Sequence, residues 1–349
     1  MTTESQNLDR QAVIKHIAEQ IPRHILAQYP TPLMRANRLS EMLADVDLWF
    51  KRDDLISFGL GGNKIRGLEV MLAEALAKNA DWLITGAGVQ SNHVRATAAV
   101  AAYAGMRCTA VYWGKQPVTV EGNYRVTKML DAKFHFTDDD DRASVDTHIQ
   151  QVAGILHKQG HSPYPIPRGG ACAMGVLGHV LAVFELYQQC LSQGLALDAI
   201  VFAVGSGGTY AGWLLGIKLL NLPWKMLCYT VSRGPEQVSQ QVADLATEAA
   251  ALLKLDWIFK VRDAPVYGGF IGLGYGISSP EAAEAIKRVG RTEGILMDPV
   301  YTGKAMAGFL HGLQNKHFED YKIIVFIHTG GEPAFFAGTG DWLNAGLTN

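Results

Sequence analysis

The chain contains no run of about 18 consecutive apolar residues, the length a helix needs to cross a bilayer, so no membrane association is expected. Its opening, Met1-Thr2-Thr3-Glu4-Ser5-Gln6-Asn7, is polar and offers no apolar signal core. A charge excess of either sign is also missing: 31 Lys and Arg against 33 Asp and Glu leave a formal charge of −2. Neither a nucleic-acid surface nor a basic membrane anchor fits that balance. Cysteine is scarce. Cys108, Cys172, Cys190 and Cys228 are scattered without CxxC spacing, which argues against a disulfide framework or a cysteine zinc site. Reduced thiols of this kind suit a cytoplasmic protein. The eleven histidines suggest no metal site.

What is present is an ordinary globular composition, 48% hydrophobic over 349 residues, enough for two domains or one large α/β domain. Hydrophobic periodicity predicts alternating strands and helices. A helix is expected over Asp9–Gln20 and a strand over Asp47–Lys51. Then come strand 82–85, helix 92–103, strand 108–113, helix 124–130, strand 133–136 and a long helix ending near Gln159. Pro163-Tyr164-Pro165-Ile166-Pro167-Arg168-Gly169-Gly170 reads as a linker. Beyond it follow helix 174–193, strand 199–204, helix 210–220, strand 226–231, helices 280–293 and 304–313, and strand 322–328. Such alternation implies mostly parallel sheets covered by helices on both faces. The expected organisation is two three-layer α/β/α units: a larger one from residues 1–64 and 166–349, with a smaller one, 65–165, inserted in it. The run Asp138-Asp139-Asp140-Asp141 reads as a solvated loop before a helix.

The chemistry concentrates at Gly61-Gly62-Asn63-Lys64. Ile65, Leu68, Met71, Leu72, Ala75 and Leu76 recur at helical spacing, so Lys64 stands at a helix start behind two glycines. Free N–H groups at a helix N-terminus disfavour an ammonium, and an amine kept partly neutral is suited to forming a Schiff base. An ordinary solvated helix-start lysine is the plain alternative. Gly205-Ser206-Gly207-Gly208-Thr209 joins a predicted strand to a predicted helix, an arrangement that cradles phosphate on backbone N–H groups and hydroxyls. It could equally be a structural turn. A dinucleotide-binding oxidoreductase using NADP, with Arg233 toward the 2′-phosphate, is a distant alternative. Against it, Tyr210 stands where the last glycine of that fingerprint belongs. Ser91-Asn92-His93 opens another helix and could cap it, grip a carboxylate, or do both. Tyr275 and Tyr301 lie in turn-forming contexts, and Thr329-Gly330-Gly331 ends the last apolar strand.

Taken in order, these segments resemble the D-cysteine desulfhydrase and 1-aminocyclopropane-1-carboxylate (ACC) deaminase family, over about Pro30 to Ala337. They are Gly61-Gly62-Asn63-Lys64, Gln90-Ser91-Asn92-His93, Gly205-Ser206-Gly207-Gly208-Thr209, Asp298-Pro299-Val300-Tyr301-Thr302-Gly303-Lys304 and His328-Thr329-Gly330-Gly331. The resemblance implies the tryptophan-synthase β-subunit fold (fold type II) and pyridoxal 5'-phosphate as cofactor. It implies that Lys64 holds the cofactor as a Schiff base and shuttles the Cα proton. Asn92 would bond the phenolic oxygen. Gly205, Ser206, Gly207, Gly208 and Thr209 would hold the phosphate, with Thr302 near the cofactor ring and Thr329 at the pyridine nitrogen. Ser91, Asn92 and His93 would receive the substrate carboxylate, flanked by Tyr275 and Tyr301; Ser91, Tyr275 and Tyr301 would join Lys64 in catalysis. The substrate implied is a small β-substituted amino acid, and the usual assembly is a homodimer. His93 and Thr302 resemble the desulfhydrase branch, which includes L-cysteate sulfo-lyases. The deaminases typically carry Gln and Glu there. Gly67 stands where many members have lysine, and Ala171-Cys172 replaces a common Ser-Ser or Ser-Glu.

Overall fold

The computed structural model describes residues 3–43, 45–338 and 340–344. Helix α1 (Thr3–Gln20) precedes a short strand β1 (Leu33–Arg35), helix α2 (Asn37–Leu43) and strand β2 (Asp47–Arg52). Then follow α3 (Lys64–Ala77), β3 (Trp82–Ala87), α4 (Asn92–Tyr103), β4 (Arg107–Tyr112), α5 (Gly122–Met129), β5 (Lys133–Phe136), α6 (Ser144–Lys158) and β6 (Pro163–Pro165). The remainder comprises α7 (Ala173–Gln193), β7 (Ala199–Val204), α8 (Gly208–Leu219), β8 (Lys225–Thr230), α9 (Pro235–Leu252), β9 (Val266–Tyr267), α10 (Pro280–Glu293), α11 (Thr302–Gln314), β10 (Ile323–His328) and α12 (Glu332–Phe335).

Two sheets result. The larger has strand order β1-β2-β10-β7-β8-β9 and the smaller β5-β4-β3-β6. Every pairing is parallel except β1 with β2. Alternation along β7 explains the layering. Ile200, Phe202 and Val204 enter one core with α1, α7, α8 and α9, whereas Ala199, Val201 and Ala203 enter another with α2, α10 and α11. In the smaller sheet Leu83 packs toward α3 and α4, while Trp82 and Ile84 pack toward α6. Buried strand segments such as β3 and β7 are apolar with little interruption because helices cover both faces.

Some expectations differ from this fold. The proline-rich segment read as a linker supplies β6, which pairs along β3 at the sheet edge, where a missing N–H costs least. The 18-residue α9 and the short α2 were not foreseen. Helix α7 has the length and composition of a membrane span, but its stretch from Gly175 to Cys190 is largely buried, lying between α3 and α8. The four cysteines are free thiols, three of them buried.

Candidate active site

The carboxyl ends of both sheets' strands meet at one cavity, the usual ligand position in open parallel sheets. Its wall includes Asn63 and Lys64 at the start of α3, Ser91, Asn92 and His93 at the start of α4, the loop after β7, Ser232 and Arg233 after β8, and Thr329 after β10. Tyr275 and Tyr301 complete it, together with Trp113, Arg142, Arg168, Tyr210 and Gln241.

Lys64 is delivered here by a tightly held turn. Gly61 and Gly62 have φ of 74° and 97°, where a side chain is strained. A Cβ on Gly61 would fall 2.2 Å from Asp54 O, so the turn has no room for one. Buried Arg95 clamps the same loop: its guanidinium donates to Gly59 O and to Gly61 O (3.1 Å), and its Nε to Asn123 Oδ1 (2.8 Å). From behind, Arg66 forks onto both oxygens of Asp53 at 2.8 Å and reaches Glu185. Lys64 Nζ donates to Gly169 O at 2.9 Å and lies 3.5 Å from Ser206 Oγ. Burial away from any carboxylate lowers its pKa to about 8. Lys64 thus faces the cavity with its amine bonded to a carbonyl, unlike an ordinary surface lysine, and about a tenth of it is neutral at pH 7.

At α4, Ser91 is a true N-cap, its Oγ accepting from Val94 N at 3.3 Å, and it also lines the cavity. Capping and a place on the cavity wall coincide. Asn92 Oδ1 accepts from Asn123 Nδ2 at 3.0 Å, which leaves the Asn92 amide NH₂ as a donor. His93 Nε2 lies 2.9 Å from Thr85 Oγ1, whereas Nδ1 is buried and without a partner. Burial, with the nearby Lys64 charge, drives the His93 pKa well below the usual imidazole value. The ring is neutral, so any grip on a carboxylate is a hydrogen bond and not an ion pair.

In the loop after β7, Gly207 has φ 92° and forms the N-cap of α8. Gly205, Ser206, Gly207 and Thr209 line the cavity; Gly208 does not, its Cα side facing Ala171. Thr209 Oγ1 accepts from Asn63 Nδ2 at 3.0 Å, tying this loop to the residue before Lys64. A Cβ on Gly205 would meet the Tyr301 ring at 3.1 Å.

Thr302 is placed differently from expectation. It is fully buried in the first turn of α11 and is not on the cavity wall. Its hydroxyl donates to Asp298 Oδ1 at 2.7 Å and accepts from Asp298 N. The reason is capping: Asp298 also accepts from the backbone N–H groups of Val300, Tyr301 and Thr302. The Asp-Pro-Val-Tyr-Thr segment is thus a device for presenting Tyr301. Lys304 supports the opposite side, its Nζ bonding Ile271 O and Gly274 O next to Tyr275.

Several wall residues were missed. Arg142 sits just past the aspartate run and Arg168 in the supposed linker, so their neighbours suggested solvent-exposed loops. Arg95, which lies behind the wall in the helix that Ser91 opens and clamps the loop before Lys64, carried no signal in the sequence. The expectation of no metal was drawn from the histidines, although two of them, His157 and His161, stand four apart. His161 lies past the end of α6 and binds Asp81 at 2.7 Å. Among the described residues, Asp54, His328 and Glu332 bring their donor atoms within 4.8 Å of one another. Asp54 is already held by three hydrogen bonds from Arg52.

These features fit pyridoxal phosphate: a partly neutral lysine for its aldehyde, a helix start for its phosphate, and an amide donor and a buried unpartnered imidazole nitrogen beside them. Comparison with known proteins agrees. A model of the pyridoxal-phosphate dependent enzyme family matches residues 25–330. D-cysteine desulfhydrases of Salmonella choleraesuis and Salmonella typhi are each 38% identical over 327 residues, covering 92% of this chain and 98% of the relative. The crystal structure of an ACC deaminase homologue superposes with TM-score 0.88 at 36% identity, covering 95% of this chain and 98% of that one. A fungal L-serine ammonia-lyase from Rhizomucor miehei shares the fold, with TM-score 0.63, 17% identity and 87% and 94% coverage. This chain belongs to the pyridoxal-phosphate dependent enzyme family, fold type II.

Proposed function

We propose that the protein catalyses β-elimination from a small β-substituted amino acid, as a carbon–sulfur lyase of the D-cysteine desulfhydrase kind. The observation that carries this reading is Lys64. A half-buried amine with a pKa near 8 stands in one cavity with an anion-accepting helix start and a pair of half-buried tyrosines. When bound, the cofactor supplies the electron sink for breaking the Cα–H bond. Ser91 Oγ, the Asn92 amide and the α4 N-terminus bind the substrate carboxylate, with His93 as a neutral partner. Lys64 Nζ takes the Cα proton. Tyr275 and Tyr301, kept protonated by burial, donate toward the departing β-group. Ser206, Thr209 and the N–H groups of α8 would hold the phosphate, and Thr329 would offer the pyridine ring a neutral hydroxyl in place of a carboxylate. The released aminoacrylate takes up water and yields pyruvate and ammonia.

The D-cysteine desulfhydrase relatives support the branch. ACC deamination is the second reading, favoured by the ACC deaminase homologue. The dinucleotide alternative is dropped, because the family is a different one and Tyr210 is buried against Pro265 O in place of the expected glycine. A cytoplasmic homodimer acting on a small amino acid, without nucleic-acid or membrane partners, completes the proposal. The free thiols and the balanced charge support the compartment and the absence of nucleic-acid partners, and the homodimer rests on the resemblance alone. The test is pyruvate formation from D-cysteine and β-chloro-D-alanine against 2-oxobutyrate formation from ACC. Faster turnover of ACC would transfer the protein to the deaminase branch.

A further inference from the structure

We propose that Asp54, His328 and Glu332 bind a divalent first-row metal ion outside the cofactor cavity, and that this ion ties the end of β10 to the turn that carries Lys64. The inference does not depend on the elimination reading.

The three side chains come from separate elements. Asp54 lies in the short turn after β2, His328 ends β10 and Glu332 opens α12. One donor atom of each lies within 4.8 Å of the other two. His328 Nδ1 is 3.6 Å from Asp54 Oδ1 and 3.9 Å from Glu332 Oε1, too far for hydrogen bonds. Ligands held at about 2.1 Å around one ion stand about 3.0–3.4 Å apart, so shifts of a few tenths of an ångström would close the shell. The imidazole and the Asp54 carboxylate are buried, and the Glu332 side chain is 29% exposed.

Each donor is oriented as a ligand would be. His328 Nε2 donates to Leu296 O at 2.8 Å. That bond puts the proton on Nε2 and aims the Nδ1 lone pair at the two carboxylates, the way a backbone carbonyl fixes a metal-binding imidazole. The Gly330 N–H points at Nδ1 from 3.3 Å, a long contact that a protonated Nδ1 would not make. An imidazolium is therefore not what balances the two acids, and an ion would displace this contact. Arg52 makes one bond to Asp54 Oδ1 and two to Oδ2, which orients the carboxylate and leaves Oδ1 a free acceptor position. Glu332 Oε1 is buried without a hydrogen-bond partner. A water molecule could donate to only two of these three acceptors, whereas a cation satisfies all of them at once. Asp54 and Glu332 also line an open groove with Leu296 and Phe336, from which water can complete the coordination.

One imidazole and two carboxylates suit a first-row divalent ion. Calcium favours an all-oxygen shell, and copper(I) favours sulfur, which is missing from this donor set. Zn²⁺ should bind more tightly than Mn²⁺, following the usual order for such donors. The position explains what the ion would do. His328 precedes Thr329, whose carbonyl accepts from Asn63 N at 3.0 Å. Gly61 packs so closely on Asp54 O that a Cβ would fall 2.2 Å from it. An ion joining Asp54 to His328 therefore fastens the Gly61-Gly62-Asn63-Lys64 turn to the large sheet.

The test uses holoenzyme stripped of metal with a chelator, desalted, and titrated calorimetrically with zinc chloride. Electron paramagnetic resonance reads Mn²⁺ binding in parallel. The expected result is one Zn²⁺ per chain with a dissociation constant in the micromolar range or below, weaker Mn²⁺ binding, and a melting temperature several degrees higher in excess Zn²⁺. Glu332→Gln, a change at the edge of the groove that keeps the side chain's shape, should weaken Zn²⁺ binding at least tenfold and abolish the thermal shift. His161→Ala, which removes the exposed His161–Asp81 pair as a competing zinc ligand set, should leave both unchanged. No saturable Zn²⁺ binding in the wild type would overturn the inference. So would binding that survives Glu332→Gln or disappears with His161→Ala. Binding that needs Glu332 but brings no thermal shift would refute the tie between β10 and the Lys64 turn.

Discussion

The hydroxyls of Tyr275 and Tyr301 are hydrogen-bonded to each other on the wall of the cavity that Lys64 enters. The two rings meet edge to face, with centroids 5.8 Å apart. They come from separate loops, one held by Lys304 and the other by Asp298. Burial first, and the partner hydroxyl second, raises the Tyr301 pKa well above the phenol range. Burial likewise raises that of Tyr275, although its bond to Tyr301 opposes the shift. Both therefore stay protonated across the working pH range, which suits proton donors and not bases.

Removing one donor should be felt in turnover alone. Tyr301→Phe keeps the ring that packs on Gly205 and should leave the cofactor's visible absorption unchanged. Loss of a positioned proton donor should lower kcat by about 10²-fold or more for a poor leaving group, with less effect on chloride from β-chloroalanine. Equal losses for thiol and chloride substrates would show that the hydroxyl does not assist departure.

Lys64 should set the pH dependence of cofactor capture. Its amine is pushed down to about 8 because burial penalises the ammonium, and the neutral amine is the form that attacks the aldehyde. Below that pH the neutral fraction falls about tenfold per unit. Capture of pyridoxal phosphate by apoprotein, followed by absorbance, should therefore rise with pH and level off above about 8. A rate still climbing steeply beyond about pH 9.5 would mean a lysine near its ordinary value. Lys64→Ala should abolish the borohydride-stable adduct entirely.

Much of this was legible in the sequence. Helix Asn92–Tyr103 and strand Ala199–Val204 follow from apolar runs bounded by polar turns, and their observed limits agree with that pattern. The glycine pairs before Lys64 and before Thr209 revealed turns because only glycine adopts positive φ values such as those of Gly61, Gly62 and Gly207 cheaply. What was hidden depends on contacts that form only in the folded chain. Thr302 looked like a cavity residue until Asp298, four positions earlier, claimed its hydroxyl. Arg95 reads as an ordinary helical arginine, and its grip on Gly59 and Gly61 exists only once α4 is packed. Arg142 and Arg168 lie in loops whose direction periodicity does not fix.

The glycine loop after β7 should govern cofactor retention more than chemistry. Ser206 and Thr209 stand at the start of α8, and Thr209 is linked to Asn63. Each charge-assisted hydrogen bond to a phosphate should contribute about 1.5–3 kcal/mol. The double variant Ser206→Ala, Thr209→Val should release cofactor on dilution, with its dissociation constant raised roughly a hundredfold or more. Turnover at saturating cofactor should fall much less. Unaltered cofactor affinity would remove the phosphate from this loop.

The last prediction concerns the packing that carries Lys64. Helix α7 touches α3 on one side and α8 on the other, and glycine makes the approach to α3 possible. A Cβ on Gly178 would sit 2.0 Å from Arg66 O, and one on Gly67 would sit 2.8 Å from Gly175 O. Neither neighbour is a flexible side chain, so the helices themselves must separate. Gly178→Ala should destabilise the protein by about 1–3 kcal/mol, as overpacked cores do, and should weaken cofactor binding because α3 carries Lys64 at its first position. Gly154 provides the contrast. It lies within α6, is exposed, and an added Cβ there would meet nothing within 4 Å. At that position the alanine has no steric penalty and removes backbone freedom from the unfolded chain. Gly154→Ala should stabilise by about 0.5–1 kcal/mol and leave cofactor affinity unchanged. Urea unfolding of the two variants, with cofactor absorbance followed in parallel, separates these effects. Shifts of the same sign at both positions would mean that helix propensity, and not the close approach of α3 to α7, decides the cost at Gly178.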